Sequence, residues 1–137
     1  MNYYRCYYHF VWATKNRQPT LTVQREPVIF GAIERKTSDL KGTVLIVNAA
    51  FDHLHIAVTL PPTLSLAEYA KLVKGVSSHE ANSASLQPQE QFRWQTGFGV
   101  VTFGAKNLPL VEDYIRRQKE HHTAGTIEPY LEKLDED

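Results

Sequence analysis

The sequence predicts a ferredoxin-like α+β fold: a split βαβ plan with a four-stranded antiparallel sheet, two helices on one face, and a further helix towards the C-terminus. Three observations carry this. Patterning along the chain gives the order strand, helix, strand, strand, helix, strand, helix. In FDHLHIAVTLPP, residues 51–62, Leu54, Ile56, Val58 and Leu60 fall at every second position, as in a strand with one side on a core. With 137 residues, 42% hydrophobic and 22% charged, the chain has the size and make-up of one globular domain over residues 1–137.

Residues 3–13, YYRCYYHFVWA, are rich in aromatic and β-branched side chains and read as a long first strand, ended by the loop TKNRQPT. Thr22 is placed to cap a helix over about residues 23–40, with Pro27 early, Ile29 and Ile33 on one stripe, and Gly42 just past the end as a stop. TVLIVNAA and DHLHIAVTL follow as two strands separated by a short break near Phe51 and Asp52, the pattern of an antiparallel hairpin. Beyond Pro61 and Pro62, Ser65 and Glu68 have capping-box spacing. They open a second helix with the apolar stripe Tyr69, Leu72, Val73 and Val76, which frays through SSHEANSAS. LQPQEQ is a loop, FRWQTGFGVVTFG holds the fourth strand, and residues 104–107 form a connector. Pro109 sits where a helix start tolerates proline, and LVEDYIRRQKEHH places acids before bases, as the helix dipole favours. A short final helix is read over about residues 129–134.

No apolar run approaches the ~20 residues of a bilayer span, and MNYYRCYYHF lacks the basic-then-apolar order of a signal peptide. The expected compartment is the cytoplasm, with no membrane partner. Cys6 is the sole cysteine, so no internal disulfide forms, in keeping with a reducing compartment. A formal net charge of zero argues against a generic nucleic-acid binder. The distribution is less even. Residues 1–106 carry eleven Lys/Arg against seven Asp/Glu, while residues 107–137 carry four against eight and end in DED. The acidic end reads as a solvating tail, and it leaves a mildly basic body for a phosphate backbone.

If Leu54, Ile56 and Val58 pack under the two helices, His53 and His55 point out of the other, open face of the sheet. Two imidazoles two residues apart on a strand have Cα atoms roughly 6.5–7 Å apart and can converge on one cation. The same spacing suits surface or aromatic-stacking residues, and a third ligand or a neighbouring nucleophile is needed to choose between them. The third helix supplies candidates for both. Tyr114 and Gln118 in YIRRQ are four apart and share a helical face. A Gln amide oxygen can ligate a hard cation, and a Tyr hydroxyl can serve as a covalent nucleophile. Spacing alone favours a plainer role, with Tyr114 a core aromatic beside Val111 and Ile115 and Gln118 at the rim.

YRCYYHFVWATKNRQP, DHLHIAVTLPP, KGVSSH, FRWQTGFG and YIRRQKEHH occur in a fixed order over about residues 3–122. In order and approximate spacing they resemble the single-tyrosine HUH transposases of the insertion sequence 200/605 class. On this resemblance His53 and His55 match the family's histidine-hydrophobic-histidine motif, Tyr114 its nucleophile and Gln118 its third metal ligand. The family's fold is the split βαβ plan, with the tyrosine on the C-terminal helix. The resemblance implies cleavage and rejoining of single-stranded DNA through a 5′-phosphotyrosine link with a free 3′-hydroxyl. A divalent cation on His53, His55 and Gln118 would polarise the phosphodiester. Mg²⁺ is the expected ion for its abundance, and Mn²⁺ is expected to substitute, since a two-nitrogen, one-oxygen set binds it more tightly. A free phenol has a pKa near ~10, so Tyr114 needs help losing its proton, from the cation's field or a nearby base.

The resemblance also implies a partner and an assembly. The partner is single-stranded DNA carrying a hairpin, for which Arg5, Lys15, Arg17, Lys71, Lys74 and Arg93 are the candidate contacts and Tyr7 and Trp94 the candidate stacking platforms. In KGVSSH, Lys74, Ser77 and Ser78 either contact phosphates or end a helix. The assembly is a homodimer whose sites take histidines from one chain and tyrosine from the other, passed across through FGAKNLP, where Gly104 is free to take angles other residues avoid. Two other readings stand beside an active transposase. One is a domesticated or inactive relative that binds hairpin nucleic acid without cutting, against which the intact His53, His55, Tyr114 and Gln118 count. The other is an RNA-binding module of the same plan, which should carry an RGFGFV-like block that FGVVTFG echoes only loosely. Should Tyr114 not be the nucleophile, Tyr130 or a first-strand tyrosine is next in line.

Overall fold

Alternate residues of a strand go to opposite sides of a sheet, and in this protein both sides are put to use. A computed structural model describes residues 3–85 and 91–120. Its strands are β1 (Tyr7–Ala13), β2 (Thr43–Ala50), β3 (His53–Thr59) and β4 (Gly99–Phe103), and its helices are α1 (Glu26–Asp39), α2 (Leu66–Ser83) and α3 (Leu108–Arg116). The sheet runs β2-β3-β1-β4 with every pair antiparallel, as the split βαβ plan requires. The expected loop over residues 86–90, the helix over residues 129–134, Tyr130 and the DED end lie outside the described residues. Among the described residues no helix is long and apolar enough to cross a membrane.

One face of the sheet is the main core. Phe10 and Trp12 of β1 and Leu54, Ile56 and Val58 of β3 meet Ile29 and Ile33 of α1 and Tyr69 and Val73 of α2, all fully buried. Each such side chain contributes roughly 1.5–3 kcal/mol through burial. Between the two helices the Tyr69 hydroxyl lies 2.7 Å from Thr37 Oγ1 and is satisfied there, whereas Trp12 Nε1 in the same layer has no hydrogen-bond partner among the described residues. At the start of α2, Ser65 Oγ accepts from the Glu68 N–H at 3.0 Å, the cap the sequence predicts.

Several boundaries differ from expectation, each for a visible reason. β1 begins at Tyr7 rather than residue 3 because its partners on both sides, Thr59 and Phe103, run out there. α1 begins at Glu26: Thr22 gives no side-chain cap, and its main-chain carbonyl instead accepts the N–H groups of Arg25 and Glu26. After α1 the left-handed residue is Lys41, with φ 69. Gly42 is required for room instead, since a Cβ there would stand 2.7 Å from the Thr59 carbonyl oxygen. α2 does not fray through SSHEANSAS but continues to Ser83, while Asn82 exchanges two hydrogen bonds with the main chain of Phe92. Gly104 has φ −89 and ψ 164, extended backbone that any residue adopts.

β2 carries a bulge. Its register against β3 shifts between Val44 and Ile46, so the consecutive residues Leu45 and Ile46 pack towards α3 while Val44 and Val47 pack towards α1 and α2. Beyond the bulge Asn48 stands opposite His55.

The second face is where the sequence expectation needs correction. His53 and His55 do point away from α1 and α2, but that face is not open. α3 lies across it, with Val111 and Ile115 packed against Ala57, Leu45, Ile46 and Phe103, and both histidines are fully buried.

Candidate active site

The period-two alternation of β1 and β3 brings His9, Val11 and Ala13 alongside His53, His55 and Ala57 beneath α3. The rings of His53 and His55 have centroids 5.1 Å apart, and the Tyr114 ring stands edge-on to His55 at 5.9 Å. Gln118 is fully buried and Tyr114 is 5% exposed. His53, His55 and Tyr114, taken from positions up to 61 residues apart in the chain, thus form one ring cluster, and the buried Gln118 is tied to it through its bond to the Tyr114 carbonyl.

Each histidine is held by its Nδ1. His53 Nδ1 lies 2.8 Å from Asp52 Oδ1, and Arg17 Nε donates to the other carboxylate oxygen at 3.3 Å. Burial works to raise the Asp52 carboxyl, but the hydrogen bond and charge of His53, aided by Arg17, overcome it and hold the group below the usual carboxylate range. His55 Nδ1 lies 2.7 Å from Nε2 of His9, a fully buried residue of β1. Sequence reasoning passed over His9 and Asp52. Alternation puts His9 on the site's face, but only the β1–β3 register, which pairs Val11 with His55, brings it within reach.

α3 is seated by side chains of β2. Its last turn ends at Arg116, Arg117 leaves helical geometry, and helix resumes over residues 118–120. The Asn48 amide donates to the carbonyls of Ile115 at 3.0 Å and Arg116 at 2.9 Å, satisfying acceptors that a helix end leaves without partners. Lys119 Nζ donates to the Ala49 carbonyl at 3.0 Å and pairs with Glu26 at 2.9 Å. Tyr114 and Gln118 therefore sit on either side of a break rather than on one continuous turn, joined by a bond from Gln118 Nε2 to the Tyr114 carbonyl at 3.3 Å. In the single chain α3 rests on its own sheet, the alternative to the exchange that the resemblance implies.

The residues fit a cation. With Nδ1 engaged on both rings, Nε2 is the nitrogen through which each histidine would ligate a cation. Among the described residues no three His, Cys, Asp or Glu side chains converge as metal ligands, so a third donor would have to be of another type, for which Gln118 is the candidate. Its Oε1 is buried with no hydrogen-bond partner among the described residues. An acceptor stranded in this way costs about 1–3 kcal/mol, which a cation would recover.

The candidate DNA contacts fall into separate groups. Arg5 is exposed ahead of β1, and Lys15 and Arg17 are exposed in the short turn that follows it. Lys71, Lys74 and Arg93 line a cleft of about 610 Å³ between α2 and the segment leading to β4, on the side away from the histidines. Lys74 is committed within it: Nζ donates to the carbonyls of Gln95, at 2.9 Å, and Gly97, and lies 5.5 Å over the Trp12 ring. Ser77 is buried and accepts from Trp94 Nε1 at 3.0 Å, and Ser78 donates to the Lys74 carbonyl, so neither ends a helix. Tyr7 is stacked on Phe103 and Trp94 is edge-on to Trp12 and Phe92, so both rings are already packed.

The sequence pattern of the family described as IS200-like transposase matches residues 2–118, a span that contains the whole cluster. The chain belongs to the IS200-like transposase family. Family membership makes it a DNA-processing enzyme. The transposase for insertion sequence element IS200 of Salmonella typhimurium is 28% identical over 127 residues, covering 89% of this chain and 82% of that one. The ISDra2 transposase TnpA of Deinococcus radiodurans is 20% identical over 119 residues, covering 84% and 85%. Among solved structures, a candidate transposase from Deinococcus radiodurans R1 superposes with a TM-score of 0.68 at 21% identity, covering 86% of this chain and 95% of that one. A REP-associated tyrosine transposase bound to a REP hairpin gives 0.66 at 20% identity, covering 89% and 74%. These likenesses bear out the IS200-like resemblance and the α+β fold with its four-stranded antiparallel sheet.

Proposed function

We propose that this IS200-like transposase cleaves and rejoins single-stranded DNA at the ends of a mobile element, with Tyr114 as nucleophile. The observation that carries the reading is the buried grouping of His53, His55, Tyr114 and Gln118, in which Gln118 Oε1 has no hydrogen-bond partner among the described residues. Tyr114 Oη bonds to phosphorus as the bond to the 3′-oxygen breaks. The phenol gives up one proton and the departing 3′-oxygen gains one, so charge and atoms balance. The 5′ side of the DNA stays on Tyr114 as a phosphodiester, which a 3′-hydroxyl of another strand can attack to reverse the step. His53, His55 and Gln118 would hold a divalent cation, Mg²⁺ with Mn²⁺ able to replace it, which supplies charge stabilisation at the phosphate when bound. Asp52 and Arg17 keep the His53 ring in place.

Hairpin recognition belongs to the same proposal, supported by the structural neighbour that carries a REP hairpin. Arg5, Lys15, Arg17, Lys71 and Arg93, all exposed, supply the phosphate contacts, with Lys74 shaping the cleft beside them. The test is incubation with hairpin-bearing single-stranded DNA and Mn²⁺, read on a denaturing gel. Wild type forms a covalent adduct, and Tyr114→Phe forms none while binding the same DNA within about a few-fold, since affinity is spread over many phosphates. An adduct at wild-type yield from Tyr114→Phe would move the nucleophile elsewhere, and wild-type binding without any adduct would make the protein a non-cleaving relative.

The proposed active form is a homodimer with shared sites. Support comes from the resemblance alone; in the single chain α3 rests on its own sheet, with Tyr114 5% exposed and His53, His55 and Gln118 fully buried. Mixing Tyr114→Phe protein with His53→Ala/His55→Ala protein, with subunit exchange verified, should restore adduct on the chain that kept Tyr114. Silence after exchange would sink the shared-site arrangement.

A further inference from the structure

His9 is out of place on packing grounds. Its partners across the sheet are Ala57 and Val101, the next residue on its own face is Val11, and the layer over them is Val111 and Ile115. A branched apolar side chain would suit that position, and a fully buried imidazole there pays a desolvation cost that only hydrogen bonding offsets. One bond it makes is specific: His9 Nε2 lies 2.7 Å from His55 Nδ1, with ring centroids 4.9 Å apart.

From this geometry we infer that His9 is a positioning residue, which accepts the Nδ1–H of neutral His55 and so fixes His55 as the tautomer whose Nε2 carries the lone pair. A hydrogen bond between two imidazole nitrogens has one donor, so the choice of tautomer on one ring dictates the other. When His55 donates from Nδ1, its Nε2 is left unprotonated and fit to ligate. When the roles are reversed, a neutral His55 carries its proton on Nε2 and cannot ligate there. Asp52 plays the equivalent part for His53, whose Nδ1 it meets at 2.8 Å. The two histidines are thus held from behind by different chemistry, a carboxylate on the neighbouring residue for one and an imidazole from β1 for the other.

The inference rests on the reading that His53, His55 and Gln118 hold the cation, and its test separates the two. Mn²⁺ alone is titrated into full-length, DNA-free protein and the unbound ion is read by its electron paramagnetic resonance. His9→Phe keeps the ring and removes the acceptor, and should weaken Mn²⁺ binding by about 10–100-fold. His9→Gln, whose amide oxygen reaches the position of Nε2, should recover binding to within about a few-fold of wild type. Wild-type affinity in His9→Phe, or equal loss in both variants with native circular dichroism, overturns the inference. Should His9→Phe fail to fold, the wild-type metal-free protein decides by two-bond nitrogen–proton correlation of its imidazoles: His55 protonated on Nδ1 supports the inference, and His55 protonated on Nε2 overturns it. Wild-type protein that takes up no Mn²⁺ would sink the cation reading itself, while the tautomer measurement still judges His9.

Discussion

The two faces of one sheet make opposite use of the same strand. Towards α1 and α2, β3 offers Leu54, Ile56 and Val58, and the hydroxyl between those helices, Tyr69 Oη, is tied to Thr37. Towards α3, the alternate residues are His53 and His55, set among His9, Tyr114 and Gln118, all at most 5% exposed. The difference lies in how burial is offset. The apolar face gains free energy from the hydrocarbon it hides, whereas the polar face hides three imidazoles and an amide, whose burial costs free energy that hydrogen bonds must offset. Groups kept in that condition on an otherwise well-packed sheet mark a site of chemistry, and the contrast is sharpest between the two tyrosines, one locked in a helix–helix bond and one facing the histidines.

Substitutions on each face should separate these roles, beginning with the largest effect. His53→Ala/His55→Ala removes the proposed nitrogen ligands and is expected to abolish both Mn²⁺ uptake and adduct formation while the fold survives, because the main core lies on the other face. A double variant that unfolds, judged by circular dichroism, would assign the imidazoles to stability instead. On the apolar face, Ile56→Ala should cost about 2–5 kcal/mol in denaturant unfolding, yet leave the adduct rate per folded molecule nearly unchanged. Equal damage to rate would erase the division between the faces. The smallest effect belongs to Tyr69→Phe, which gives up its bond to Thr37 for about 1 kcal/mol. Burial pushes the Tyr69 phenol up to about 12, against a small lowering by Thr37. A raised phenol favours the fold fully below its unfolded value near ~10, and that contribution is lost as pH rises from there through about 12. Unfolding midpoints followed across this window should therefore fall less steeply in Tyr69→Phe than in wild type.

Local pattern was enough for the apolar half of this comparison. The alternation of Leu54, Ile56 and Val58 gave the strand and its inner face, and Ser65 with Glu68 gave the start of α2, because both depend on neighbours in the chain. Polar residues of the site were legible as types and not as surroundings. His53 and His55 lie on the expected side, but their burial follows from α3 returning to the same sheet, which no local spacing encodes. His9 needed the β1–β3 register, Asn48 the irregular register of β2, and the break at Arg117 needed the carbonyl contacts of Asn48. The cationic residues were found singly, but Lys74 was spoken for by carbonyls that a sequence does not show.

The bulge in β2 can be restated as arithmetic. Counted along the chain, Asn48 has the parity of Val44, and an unbroken strand would send both the same way, with Asn48 opposite Leu54 and its amide in hydrocarbon. Eight residues of β2 run beside seven of β3, and the surplus one, Leu45, inverts the parity between the two ends of a single strand. Before the bulge the even-numbered Val44 answers to α1 and α2; beyond it the odd-numbered Val47 and Ala49 do, and the even-numbered Ile46 and Asn48 are left for α3. A straight β2 could present Asn48 to α3 only by being one residue shorter. The helix that bears the tyrosine is seated by an odd count.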